Sequence, residues 1–464
     1  MSPRDRIARR MVPRAIVRLS GVRLPRRVAA AIRRARGGSA RVELYVAFDD
    51  PYSAVAVLGL ADRLAGRRAV LAIEPVIARG IPDDPAVDAK RSYAVVDAYR
   101  LARRDGRRVT RTASPPVEET AFLARWAAAV PQGPARTAFC VAAMRHLWFV
   151  SDGLIERGPY AALWREHVGG EPPADADADD ATAGLDGERR MRRRRLYDTP
   201  VAVVHGQWFF AHERQAQIAH RLDELGWTVA AAGPADGARV PVAAVAAPAG
   251  AAPAAPGPAQ RIEFFFSFRS PYSYLAAPRA FALAERYDVE IVFRGVMPMA
   301  MRGQSVPVAK RLHTLRDTKR EADRLGMPFG LVHDPLGPGA VRCLLVAEHA
   351  ADVGRVEAFV LEASRAIWSQ AADVADDAGL RPVCERAGLR WEACVAALED
   401  PALRARVDVN TARLAQLDHW GVPVFALGEE LFWGQDRIED LEVALRQCGR
   451  ATPRTRPETG RQAG

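Results

Sequence analysis

Ile262-Glu263-Phe264-Phe265-Phe266-Ser267-Phe268-Arg269-Ser270-Pro271-Tyr272-Ser273-Tyr274-Leu275-Ala276 is the stretch whose reading decides the fold. Its first five residues are an apolar run of the kind that makes a buried strand. A helical pattern follows, from Tyr274 to about Tyr287. Between them, Ser270-Pro271-Tyr272-Ser273 forms a strand-to-helix turn with a small hydroxyl at the helix start. Such a turn aims the hydroxyl and several free backbone N–H groups outward, where they stabilise a bound anion, including a thiolate. The turn holds no cysteine, so it cannot cycle between dithiol and disulfide. It reads as a thiol-binding site whose thiol comes from a ligand.

The segment from Phe268 to Ala276 resembles the opening motif of the 2-hydroxychromene-2-carboxylate isomerases and kappa-class glutathione transferases. Both lie in the DsbA-like branch of the thioredoxin fold, where Cys-x-x-Cys stands at this turn in the redox enzymes. A second match lies downstream, Gly421-Val422-Pro423-Val424-Phe425 followed by Leu431-Phe432-Trp433-Gly434-Gln435-Asp436-Arg437. A third, Ala309-Lys310-Arg311, resembles the family's lysine. The resemblance covers residues 261–447. It implies that Pro423 is cis and faces the nucleophile turn, and that Gln435 and Asp436 open the last helix and hold the γ-glutamyl end of glutathione. It also implies that Lys310 meets the glycine carboxylate. One departure stands out. The family has a Gly-Asn step before the lysine, whereas here Gly303-Gln304 occupies a shorter spacing.

Sliding the chain on itself by 220 positions aligns residues 41–106 with 261–326 without a gap. Glu43, Phe48, Pro51, Tyr52, Ser53, Lys90 and Asp97 recur as Glu263, Phe268, Pro271, Tyr272, Ser273, Lys310 and Asp317. The far ends match too: Asp198-Thr199-Pro200-Val201-Ala202 answers 421–425, and Phe210-Ala211-His212-Glu213-Arg214 answers 433–437. The expected fold is therefore α/β, with two tandem thioredoxin-like domains, each carrying a DsbA-like helical insertion. The copies differ at one decisive atom, because Asp50 answers Ser270. A carboxylate suits a helix N-cap and repels a thiolate beside it. The first copy reads as having lost thiol activation, with general-base work at Asp50 left open.

Each copy is expected to run strand (42–48; 262–268), helix, parallel strand (69–76; 289–296), long helical insert, hairpin and closing helix. In the second copy the insert spans about 308–418, with the hairpin at 423–427 and 430–433. The domain plan is a basic leader (1–40), a degenerate first domain (41–230), an Ala/Pro linker (231–260), the glutathione-dependent domain (261–448) and a disordered tail (449–464). An acidic run over 175–180 beside Arg192-Arg193-Arg194-Arg195 reads as an exposed loop.

Net charge is +10, yet residues 1–37 hold twelve arginines against Asp5 alone. Outside the leader the balance is close to neutral, which argues against a nucleic-acid groove on the folded domains. The leader has no apolar core of signal-peptide length. It reads as an amphipathic helix on an anionic membrane surface, a solvated tail or a transit-like segment. No stretch reaches the ~18 apolar residues of a membrane span. Cys140, Cys343, Cys384, Cys394 and Cys448 make no Cys-x-x-Cys pair and no metal spacing. Unpaired cysteines without an export signal point to the cytoplasm.

The chemistry expected in the second copy follows. Ser270 donates its O–H to the glutathione thiolate, aided by backbone N–H groups and the helix dipole. Val422, just before Pro423, pairs its backbone with the cysteinyl backbone as an added strand. Lys310 meets a carboxylate, Asp436 the α-amino group, and Gln435 offers its amide to the other carboxylate. Tyr272 and Trp433 are candidate walls of a substrate pocket. The activity expected is glutathione-dependent isomerisation or transfer on a small aromatic or unsaturated substrate, with the first copy docked as a pseudo-dimer partner. The rival readings are a non-catalytic scaffold and, against the missing cysteines, a thiol–disulfide oxidoreductase.

Overall fold

The structure is a computed structural model that describes residues 11–18, 24–174, 185–228, 261–287 and 289–447. The expected linker, the acidic run over 175–180, Cys448 and the expected tail lie outside the described residues.

The chain divides into two compact units. Described residues 24–228 form one, and 261–447 form the other, together with a helix over residues 11–18, α1. The first unit runs α2 (Leu24–Ala35), β1 (Ala40–Val46), α3 (Pro51–Leu64), β2 (Ala69–Pro75) and α4 (Val87–Arg104). Its insert continues through α5 (Val117–Ala129), α6 (Pro134–Arg145), a π-turn at His146–Val150, α7 (Arg157–His167) and α8 (Asp186–Arg194). It closes with β3 (Val201–Val204), β4 (Gln207–Phe210) and α9 (Gln215–Glu224). The second unit runs β5 (Arg261–Phe266), α10 (Pro271–Tyr287), β6 (Glu290–Gly295), a short 3-10 turn Met299–Arg302, and α11 (Val308–Leu325). Then come α12 (Pro338–Asp352), α13 (Val356–Ser369), α14 (Asp377–Arg386), α15 (Trp391–Glu399) and α16 (Pro401–Gln416). The hairpin β7 (Val424–Leu427) and β8 (Glu430–Trp433), a 3-10 turn Gln435–Arg437 and α17 (Ile438–Gln447) end it.

Both sheets have the same order, β2-β1-β3-β4 and β6-β5-β7-β8. In each, the first strand is central, parallel to the second and antiparallel to the third. This is the thioredoxin-like plan expected from the sequence, with its helical insert between the parallel pair and the hairpin.

The central strand is buried on both faces because its side chains alternate. Ile262, Phe264 and Phe266 enter the main core beside Leu275, Phe281 and Leu344. Phe265 points the other way, onto Val296, Leu414 and Val424. In the first unit Val42, Leu44 and Val46 join the main core, while Tyr45 packs with Val201 and Val203. The unbroken Phe264-Phe265-Phe266 run needs both faces covered, and the insert helices cover the second one.

Two details differ from the sequence reading. The helix expected from Tyr274 begins at Pro271, which sits in its first turn, so the serine is the residue immediately before it. The leader also contributes to the folded units. Val17 of α1 is buried in the second unit's core, and Ala30 of α2 in the first unit's core. The four described cysteines are buried and free. Burial pushes the Cys140 and Cys343 thiols up to about 12. Among the described residues, no helix is long and apolar enough to cross a membrane.

Candidate functional site

The site of the second unit lies where the end of β5 turns into α10 and meets the loop before β7. Ser270 Oγ accepts the Ser273 N–H at 3.1 Å, which caps the helix. The same hydroxyl donates to the Val422 carbonyl at 3.2 Å. One side chain thus ties the helix start to the residue preceding Pro423, and the Val422–Pro423 bond is cis. Gly434 N–H closes the other side of that loop on the Pro423 carbonyl at 2.9 Å. The hydroxyl proton is the movable part: an arriving thiolate offers it a charged acceptor in place of a neutral carbonyl.

Trp433 lies against this loop. A Cβ on Gly421 would come within 2.8 Å of the Trp433 indole nitrogen, so only glycine fits there. Trp420 and His419 stack at 4.3 Å, and Trp420 meets Trp433 edge-on at 4.9 Å. Arg302, from the short turn after β6, donates to the Trp420 carbonyl at 2.8 Å. Burial lowers its pKa. Lys310 is half-buried in the first turn of α11, where the helix dipole adds to its positive charge. Asp436 is half-buried at the turn that leads into α17.

Two candidates have other duties. Gln435, expected to offer its amide to glutathione, is fully buried. Its Nε2 donates to Glu321 at 2.8 Å and to Asp436, and its Oε1 accepts from Arg279 at 2.8 Å. Three of the four hydrogen-bonding positions of its amide, both N–H donors among them, are filled within the fold, so Gln435 braces Asp436 and has no amide N–H left to offer a carboxylate. Tyr272, expected in the substrate pocket, donates its hydroxyl to Asp317 at 2.9 Å, and Arg320 holds the other oxygen of that carboxylate at 2.8 Å. The tyrosine therefore fastens α10 to α11. Tyr272→Phe is expected to cost about 1 kcal/mol in stability and to leave substrate KM unchanged, read from thermal melts beside steady-state kinetics. A raised KM would return Tyr272 to the pocket.

The first unit repeats the frame with different chemistry. Tyr52 donates to Asp97 at 2.9 Å, and the Thr199–Pro200 bond is cis. Asp50 caps α3 by accepting the Tyr52 N–H at 3.1 Å. It also accepts from Ser53 Oγ at 2.6 Å and from Thr199 Oγ1 at 2.9 Å. In the second unit a hydroxyl donates to the backbone of the residue before the cis-proline. In the first, that residue's own hydroxyl donates to a carboxylate, and the turn is satisfied from within. Asp50 is buried, and burial pushes its carboxyl up to about 6, against the lowering pull of the Arg79 guanidinium. Arg79 itself pairs with Asp49 at 2.8 Å. The first unit's lysine, Lys90, is held by Asp84, and His212 stacks on Tyr52 at 4.1 Å.

Sequence reading missed Thr199 as the partner of Asp50, and Asp317, Glu321, Arg279 and Arg302 as supports of the site. Asp317 had left a signal, since it recurs as Asp97 together with its tyrosine. The others had none, because each meets the site across more than a hundred residues or through one backbone carbonyl.

Residues 261–446 match the family described as the DSBA-like thioredoxin domain. Residues 261–446 are a DsbA-like thioredoxin domain. The 2-hydroxychromene-2-carboxylate isomerase of Sphingobium xenophagum is 28% identical over 197 residues, which are 40% of this chain and 97% of that protein. The enzyme of the same name from Pseudomonas putida is 28% identical over 194 residues, 40% and 93% of the two chains. A solved 2-hydroxychromene-2-carboxylate isomerase is 27% identical, covers 40% of this chain and 96% of its own, and has a TM-score of 0.36. Within this DsbA-like domain Ser270 stands immediately before α10, and the Val422–Pro423 bond is cis.

Proposed function

We propose that the DsbA-like domain is a glutathione-dependent isomerase or transferase acting on a small aromatic or unsaturated substrate. The observation that carries this reading is the single hydroxyl of Ser270, set between the start of α10 and the Val422 carbonyl before cis-Pro423. A peptide thiol laid along Val422 brings its sulfur to that hydroxyl. The thiolate gains a charge-assisted hydrogen bond and the positive end of α10. Lys310 and Asp436 carry opposite charges, as a zwitterionic tripeptide requires at its two ends. For isomerisation the thiolate adds to a conjugated carbon, a bond rotates, and the thiolate leaves. For transfer it attacks an electrophile once and stays. The names of the relatives favour isomerisation.

The first unit supports a different role for itself. With Asp50 bonded to Thr199, Ser53 and the Tyr52 N–H, its turn has no hydroxyl to give a thiolate and presents a carboxylate instead. It serves as a non-catalytic scaffold. Calorimetric titration of the full chain with glutathione tests both halves of the proposal. One site per chain is expected. Two sites would overturn the inertness of the first unit, and none would overturn the glutathione reading.

A further inference from the structure

Helix α2 is amphipathic the wrong way round for a helix docked on a protein. Arg26, Ala30 and Arg34, spaced four apart, form the face turned toward the first unit. Ala30 is fully buried there. The Arg34 guanidinium lies 5.8 Å from the centre of the Trp227 ring and donates to the Leu225 carbonyl. The opposite face carries Leu24, Val28 and Ile32, also spaced four apart, with the exposed Ala31 and Ala35 beside them. Leu24 is 71% exposed, Val28 49% and Ile32 48%. At 100° per residue these five positions fill one continuous sector. Arg27 and Arg33, both exposed, flank it. A surface helix ordinarily turns its apolar stripe inward and its charges to water. Here the charged side chains anchor the helix and the apolar stripe faces out.

We propose that this outward face of α2 is a docking surface for an anionic lipid bilayer. The occupant is chosen by charge. Residues 1–37 hold twelve arginines and one acid, so the helix belongs to the most basic part of the chain. A bilayer with anionic headgroups offers an apolar layer for Leu24, Val28 and Ile32 together with phosphates for Arg27 and Arg33. Long arginine side chains at the rim reach headgroups while their stems stay in the apolar layer. A nucleic acid would use the arginines and leave the aliphatic stripe in water. The stripe is short and its attraction partly electrostatic, so binding is reversible and weakens with salt.

The test is sedimentation of the full chain with phosphatidylcholine vesicles, with and without about one-third phosphatidylserine. Binding is expected only with phosphatidylserine, and molar salt should release it. Val28→Glu with Ile32→Glu changes only exposed positions and should lower partitioning about tenfold or more. Arg27→Gln with Arg33→Gln should weaken binding and flatten its salt dependence. Far-ultraviolet circular dichroism and the melting curve show that the variants fold. The proposal is overturned if the wild type does not sediment with anionic vesicles, or if the Glu variant sediments as well as the wild type. It is equally overturned if the stripe variant instead abolishes self-association, or if a DNA duplex is bound while vesicles are not.

Discussion

Ser270→Ala is expected to lower turnover of the glutathione-dependent reaction by about one to two orders of magnitude, with glutathione affinity changed by no more than about threefold. The reason is the division of labour in the site. Lys310, Asp436 and the Val422 backbone would hold the tripeptide in both ground and transition states, whereas the hydroxyl matters most when sulfur carries charge. The pH dependence of thiolate absorbance in the complex checks this directly, since losing the donor should raise the pKa of the bound thiol. An unchanged thiol pKa in the variant removes Ser270 from the activating role. The serine also caps α10 through the Ser273 N–H, so alanine should cost about 1 kcal/mol of stability as well. Ser270→Gly separates the two effects. Glycine is nearly as good a cap but has no hydroxyl, so it should restore most of the stability and none of the rate.

Asp50→Asn is expected to remove a pH dependence from the stability of the first unit and to stabilise it above neutrality. The carboxyl is held at about 6 in the fold by burial, above the ordinary 3.8. A raised carboxyl favours the protonated form in the native state. Its contribution is fully present below the unfolded pKa and is lost as pH rises through the folded one. Between about pH 4 and pH 7 the first unit should lose about 2–3 kcal/mol on this account. Asparagine keeps one acceptor oxygen, for the Tyr52 N–H, turns its amide NH2 toward the Ser53 and Thr199 hydroxyls, which can accept as well as donate, and stays neutral at every pH. Native-state hydrogen exchange at the amides of β1 and β3, followed across that range in the full chain, reads the first unit separately from the second. A slope that survives in the Asn variant would place the titrating group elsewhere.

The chain's alternations and its turn residues were legible without coordinates. The Phe264-Phe265-Phe266 run, the self-match at an offset of 220 positions and the two prolines at 200 and 423 are patterns of sequence alone, and each maps onto a strand, a shared sheet order or a cis bond. The insert helices followed for the same reason: apolar residues at helical spacing carry their own direction of burial. The site was legible only in part. Ser270 meets the Val422 carbonyl, and the Val422–Pro423 bond is cis. Gln435 and Tyr272 carry the right chemistry at the right positions and are nevertheless spent inside the fold, on Glu321 and Arg279 in one case and on Asp317 in the other.

The sequence alone determined the strand and helix order, the absence of a redox cysteine pair at the turn, and the exchange of serine for aspartate between the copies. Those are properties of neighbouring residues and of their periods. Tertiary structure decided which polar groups face a ligand and which face each other. Thr199 and Asp50 lie 149 positions apart, Gln435 and Glu321 lie 114 apart, and no local pattern links such pairs. The same holds for α2. Its amphipathic spacing was readable, but whether the arginine side or the aliphatic side faces the protein depends on what waits there. Buried backbone carbonyls and an indole ring, at Leu225 and Trp227, accept a guanidinium better than they accept leucine.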